Sequence, residues 1–142
     1  MPGPYVTAAL ICDRVLVETD GTPSAIRIID RVLVQQPPTA EIPTLGFFSV
    51  LLMLKWGDFS GQSVPRVALI SPDGLSTELL KLEQPIGPSP AVPIGANIHG
   101  AVELVLKQLG RYWLVFYFGD VEVSRTPLAV EVQASAGKPP SR

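Results

Sequence analysis

The stretch IHGAVELVLKQLGRYWLVFYFGD, residues 98–120, decides the fold. Its second half, RYWLVFYF from Arg111 to Phe118, is dense in aromatic and branched side chains, the composition of a strand. The first half can be read two ways. Ile98, Val102, Leu104 and Leu106 share one face of a strand, whereas Ile98, Ala101, Val102, Val105, Leu106 and Leu109 match helical spacing, with Gly110 placed to cap. A strand over 111–118 needs an antiparallel neighbour close by, and 98–109 supplies it. The reading is therefore strand on both sides of Gly110, and all-β for the chain.

Working outward, apolar residues alternate or run on briefly in eight segments: 6–18, 25–34, 46–56, 65–71, 77–83, 98–107, 111–118 and 121–132. That rhythm predicts an antiparallel two-sheet sandwich of seven to eight strands. In 142 residues, 46% are hydrophobic and 17% charged, enough to bury a core, while 15 Pro and 12 Gly demand many turns. TDGTP, SPDG and FGD carry that turn chemistry. Two proline-rich connections, 35–44 and 83–95, are unsuited to a sheet interior and should cross between sheets. Residues 1–133 form one domain in this reading. The tail from residue 134, ASAGKPPSR, has no apolar pattern and is expected to be mobile.

DRVLV occurs twice, at Asp13–Val17 and Asp30–Val34, an offset of 17 residues. This is too short for a solenoid repeat, and a turn lies between the copies. They read as two arms of a hairpin looped at Asp20–Ser24. Opposed residues then sum to 44, which sets Asp13 against Arg31 and Arg14 against Asp30. Such pairs contribute about 0.2–1 kcal/mol each and help to fix register.

Eleven Lys and Arg against thirteen Asp and Glu leave a net charge of −2 with no basic stripe, which argues against nucleic acid as a partner. The longest apolar run, GFFSVLLML at 46–54, is about half of the ~20 residues a spanning helix needs and reads as a buried strand, so no membrane is expected. Cys12 is the single cysteine, and the first ten residues lack a secretory pattern. A reducing, cytoplasmic setting follows as the expectation.

Residues able to do chemistry are sparse. His99 is the only histidine and has no nucleophile motif to accompany it. One Cys and one His cannot make a structural zinc site. Asp20, Asp58, Asp73 and Asp120 sit at expected loop tips, where calcium-binding sandwiches place acids, but each stands alone beside turn residues. GDFSG matches neither phosphate-binding fingerprint. No cofactor and no tight metal site are expected. The loop KWGDFSGQS is the best candidate recognition surface, with Trp56 and Phe59 flanking Asp58; the structural alternative is that Trp56 closes the core. P-x-x-P occurs twice, at Pro85–Pro88 and Pro90–Pro93, without flanking bases, and reads as a stiff crossover.

GRYWLVFYFGDVEVSRTPLAVEV, from Gly110 to Val132, resembles the closing hairpin of immunoglobulin-like sandwiches. Together with LICDRVLVETDGTPSAIRIIDRV, from Leu10 to Val32, it resembles a group of small uncharacterised bacterial proteins built as one such sandwich. The resemblance implies a fold and no catalytic residue or ligand. A non-catalytic protein-interaction or assembly module is the expected function; a small-ligand or calcium-dependent binding domain using loops at one end is the alternative. Pro127 cannot donate to a sheet ladder, so the last strand should lie at an edge, with Leu128 and Val130 available to add to a partner's or a like chain's sheet.

Overall fold

A computed structural model describes residues 3–134; the expected tail lies, from residue 135 onward, outside them. Nine strands and no helix occur in this range: β1 (Tyr5–Val17), β2 (Pro23–Ile28), β3 (Arg31–Val34), β4 (Thr44–Lys55), β5 (Pro65–Ile70), β6 (Ser76–Lys81), β7 (Gly95–Leu106), β8 (Gly110–Phe118) and β9 (Val121–Val132). They form a four-stranded sheet in the order β2-β1-β4-β7 and a five-stranded sheet in the order β3-β9-β8-β5-β6. The two pack as a sandwich, with Leu52, Leu54, Leu104 and Leu106 meeting Leu114, Phe116 and Leu128 in one core.

The segment around Gly110 is strand on both sides. The two halves are not the expected antiparallel neighbours, however: β7 pairs along its full length with β4, from Thr44↔Leu106 to Lys55↔Gly95, while β8 enters the other sheet between β5 and β9. Both proline-rich connections cross between sheets, as expected, one from β3 to β4 and one from β6 to β7. The second is pinned midway, where Ser63 and Ile86 exchange backbone hydrogen bonds of 2.9 and 2.8 Å. Tyr112, near the start of β8, is 1% exposed and donates its hydroxyl to the Gln108 carbonyl at 2.8 Å. A buried tyrosine bonded back to the preceding corner is a hallmark of immunoglobulin-like sandwiches.

The duplicated pentapeptide folds differently from the expected hairpin. The loop spans Glu18–Thr22 and is closed by Glu18 N–H to the Thr22 carbonyl, with Gly21 at φ 87° and the Asp20 carboxylate accepting Thr22 N–H at 2.9 Å. The turn therefore sits two residues earlier than Asp20–Ser24, and opposed residues sum to 40, as in Cys12↔Ile28 and Arg14↔Ile26. Asp13 meets Arg27, which takes the left-handed φ of 54°, rather than Arg31. The second copy leaves this sheet altogether. After Ile28 the chain crosses to the other sheet, where Arg31–Val34 runs parallel to Ala129–Val132. One expected segment thus becomes two strands, which gives nine in place of the expected seven to eight, and one pairing is parallel.

That pairing also corrects the edge assignment. Leu128–Val132 is not open: β3 already occupies it, with Ala129 N–H donating to the Asp30 carbonyl at 3.0 Å and Gln133 N–H to Val34 at 2.7 Å. Backbone donors alternate, so Pro127 would point its missing N–H to the same side as Ala129. It costs the β8 ladder nothing, and it stands where β3 pairing stops.

Candidate functional site

The residues singled out from sequence fall into separate places. Trp56 is 1% exposed and its indole donates to the Val92 carbonyl at 2.8 Å. Phe59 folds back on it, its N–H bonded to the Trp56 carbonyl, and both rings pack on Phe118 at centroid distances of 6.0 and 5.4 Å. This cluster closes one end of the core and leaves only Asp58 of the trio exposed. Leu128 and Val130, 0% and 1% exposed, lie inside the core toward the opposite end, against the Tyr112 region. The two groups form no common surface, and the core-closing reading of Trp56 is the one observed.

The loop acids also stand apart. Asp58 and Asp120 belong to the end where β4 and β8 finish, Asp20 and Asp73 to the other. Asp73 accepts from the Ser71 hydroxyl and from Leu75 N–H, and these bonds hold its carboxyl below the usual range. Among the described residues no three acids, histidines or cysteines converge. His99 sits on the outward face of β7, opposite Leu51. A groove of about 310 Å³ opens between the edges of β6 and β7, with Leu69, Leu79 and Tyr112 at its base and Asp73, Glu103 and Lys107 at its rim.

The strongest feature is the contrast between the two outer faces. Outside the five-stranded sheet, aromatic side chains are roofed by arginines. The Arg66 guanidinium lies 4.0 Å from the Tyr117 ring centre, Arg125 lies 5.5 Å from Trp113, and Glu122 pairs with Arg125. Val115 beneath them is 0% exposed. This face is solvated by charge.

The four-stranded sheet has no such roof. Even-numbered residues of β4, Val50, Leu52 and Leu54, enter the core, so the odd ones point outward, and register places their neighbours on β1 and β7 with them. Leu45 is 53% exposed and Phe47 71%, flanked on the same face by Val105 at 41%, Leu16 at 44%, Ile26 at 36% and Ile28 at 61%. Between them Leu51 and Cys12 are 3% and 0% exposed, with Leu10 and His99 in register beside Leu51 and Ser49 and Ile28 beside Cys12. Burial pushes the Cys12 thiol up from its ordinary pKa, and its Sγ donates to the Arg14 carbonyl at 3.3 Å. Antiparallel sheets ordinarily alternate apolar-in and polar-out. Here one strand is apolar on both faces and only one face is covered.

Sequence reasoning misses this surface while holding its signal. GFFSVLLML has apolar residues at both parities, the pattern of a strand buried on both sides; β4 is central in its sheet, yet its outward side has no second layer.

Among curated proteins, none matches the chain. The crystal structure of an immunoglobulin-like protein from Pseudomonas aeruginosa is similar over 90% of this chain and 96% of that one, at 16% identity and a TM-score of 0.39. A family profile matches residues 7–131. The chain accordingly belongs to that family, DUF6941, a family of unknown function.

Proposed function

We propose that the chain is a non-catalytic protein-interaction module whose docking surface is the outer face of the β2-β1-β4-β7 sheet. The observation that carries the reading is Phe47, 71% exposed on an inner strand of a sheet whose outer face also leaves Leu45, Ile28 and Leu16 open. Leu45 and Val105 are in direct register beside Phe47's row, and contiguous open apolar positions of this kind mark interaction sites. The dispersal of His99 and the loop acids supports a role without catalysis. Cys12, buried and the single cysteine, supports a reducing compartment such as the cytoplasm. No helix among the described residues is long and apolar enough to cross a membrane.

Site-specific photocrosslinking in cells tests this. A benzophenone side chain at position 47 should give discrete protein adducts, and one at position 113, on the arginine-roofed face, should give none. Equal, diffuse labelling from both positions, or none from 47, defeats the reading.

A second reading rests on the groove between β6 and β7. Its volume of about 310 Å³ and its apolar base with a charged rim suit a small ligand with an apolar body. Fragment titration followed by amide NMR should then move Leu79 and Glu103 together; unmoved signals across a diverse set would remove this reading.

A further inference from the structure

One edge of the sandwich is open, and the charges along it are their own complement. β7 pairs with β4 on one side and stands at the end of its sheet on the other. Trp56 N–H donates to the Ile94 carbonyl at 2.8 Å, and from there the register continues unbroken to Thr44↔Leu106. In an antiparallel ladder a residue that exchanges bonds with its neighbour alternates with one whose N–H and C=O point away. Even-numbered residues of β7 therefore serve β4, and Asn97, His99, Ala101, Glu103 and Val105 turn their backbone groups to the open side. The facing edge of the other sheet, β6, closes on β7 near Gly100, where an added Cβ would stand 2.9 Å from Leu80. Beyond that point the two edges part, and Glu103, Val105 and Lys107 line the groove between them.

The accessible stretch reads ELVLK, from Glu103 to Lys107. Both charged residues are exposed, and four residues of strand hold them about 13 Å apart, too far to pair with each other. None of the ion pairs among the described residues, Asp13–Arg27, Asp30–Arg31 and Glu122–Arg125, uses either of them. Turned end for end, however, the stretch matches itself. An antiparallel copy centred on Val105 sets Glu103 against Lys107 twice, Val105 against Val105 and Leu104 against Leu106. The residues that meet across the axis at 103 and 105 are those whose backbone groups are free, and opposite charges facing across strands favour the pairing. Other registers lack this match. Centring on Glu103 opposes Glu103 to itself, while centring on Ala101 runs the contact through Gly100, where β6 has closed in, and opposes Glu103 to His99. Charges on an edge strand ordinarily keep like edges apart. Here their signs alternate so that one register is attractive.

We infer that β7 is a dimerisation edge: two copies of this chain join strand to strand about a two-fold axis at Val105, with Glu103 of each paired to Lys107 of the other, and their four-stranded sheets continue as one. Main-chain hydrogen bonds supply the affinity in such strand addition and the side chains supply the register. The inference goes beyond the docking face proposed above and does not depend on it, because an edge contact lies in the plane of the sheet and leaves the outer face open.

Sedimentation of the purified chain over a wide concentration range tests this, with thermal melts to confirm that every variant is folded. The wild type should dimerise. Glu103→Lys and Lys107→Glu should each raise the dimer Kd about tenfold or more, because like charges then oppose twice per dimer, and the double reversal should return to within about threefold of wild type. Phe47→Ala, on the outer face, should leave the Kd unchanged. Under mild oxidation Val105→Cys should form a disulfide-linked dimer and Ala101→Cys should not, since facing Cα atoms of a bonded pair stand ~5.5 Å apart, within disulfide reach. A chain that is monomeric at every concentration, a dimer weakened by Phe47→Ala and indifferent to the single reversals, or self-linking at 101 in place of 105 overturns the inference.

Discussion

Single side chains in this fold show how much depends on satisfying what is buried. The Tyr112 ring is inside the core, and at the corner before β8 its hydroxyl donates to the Gln108 carbonyl at 2.8 Å and accepts from Gln108 N–H at 3.3 Å. Tyr112→Phe keeps the packing and removes both bonds, so urea unfolding should show a loss of about 0.5–1.5 kcal/mol with an unchanged m-value. Cys12 is the converse case, a small side chain sealed on an otherwise open face. Burial raises its pKa and so depletes the thiolate, the reactive form. A thiol reagent near neutral pH should label it slowly in the native state and promptly in denaturant; fast native labelling would mean the outer rows open. At Asp13, the Arg27 guanidinium holds the carboxyl below the usual range. A lowered folded pKa means the pair's contribution is present above the ordinary carboxylate pKa and fades as pH falls through the folded value. NMR titration of Asp13 should return to the ordinary range in Arg27→Ala, and the exposure of the pair keeps its effect on stability small.

At the scale of elements, β9 changes the meaning of a substitution. Ala129 donates toward β3, so Val130 donates toward β8, where it is paired with Gly110. Val130→Pro therefore breaks the central ladder and a core contact together, and it should unfold the chain, whereas Ala129→Pro should lose only the bond to Asp30. Circular dichroism distinguishes the two outcomes. Gly95, where β7 begins, is similarly constrained: an added Cβ would stand 2.0 Å from the Leu54 carbonyl oxygen. Gly95→Ala should cost more than the ~1 kcal/mol typical of a point substitution. Much of this level was legible in the sequence. Period-2 alternation located the strands, and proline density located both crossovers. The route of the second DRVLV copy was not legible, because its apolar alternation fits an antiparallel neighbour near in sequence and a parallel one 98 residues away equally well. Turn placement was lost for a related reason. Glu18–Thr22 and Asp20–Ser24 are loops of the same length whose registers differ by an even number of residues, so both put the same side chains on the same face. Trp56 shows the limit for sites: an aromatic beside Gly and Asp looks the same whether it closes a core or offers a surface.

The whole molecule is two sheets with unlike outsides, one roofed by arginine over aromatics and one bare. Most strand pairings join distant segments of the chain, and folding should accordingly take milliseconds to seconds rather than microseconds. Stopped-flow fluorescence would follow this through Trp56, which becomes buried only when its end of the core closes. The pairing of β3 with β9 sets a further property. Because these strands run parallel, tension drawn from the chain ahead of Arg31 and from the chain beyond Val132 slides one along the other, so their backbone bonds are loaded together. The β8–β9 hairpin, pulled from its open end, would instead unzip bond by bond. The short parallel strand near the start of this chain is thus a clasp, placed where a pull along the chain meets it in shear.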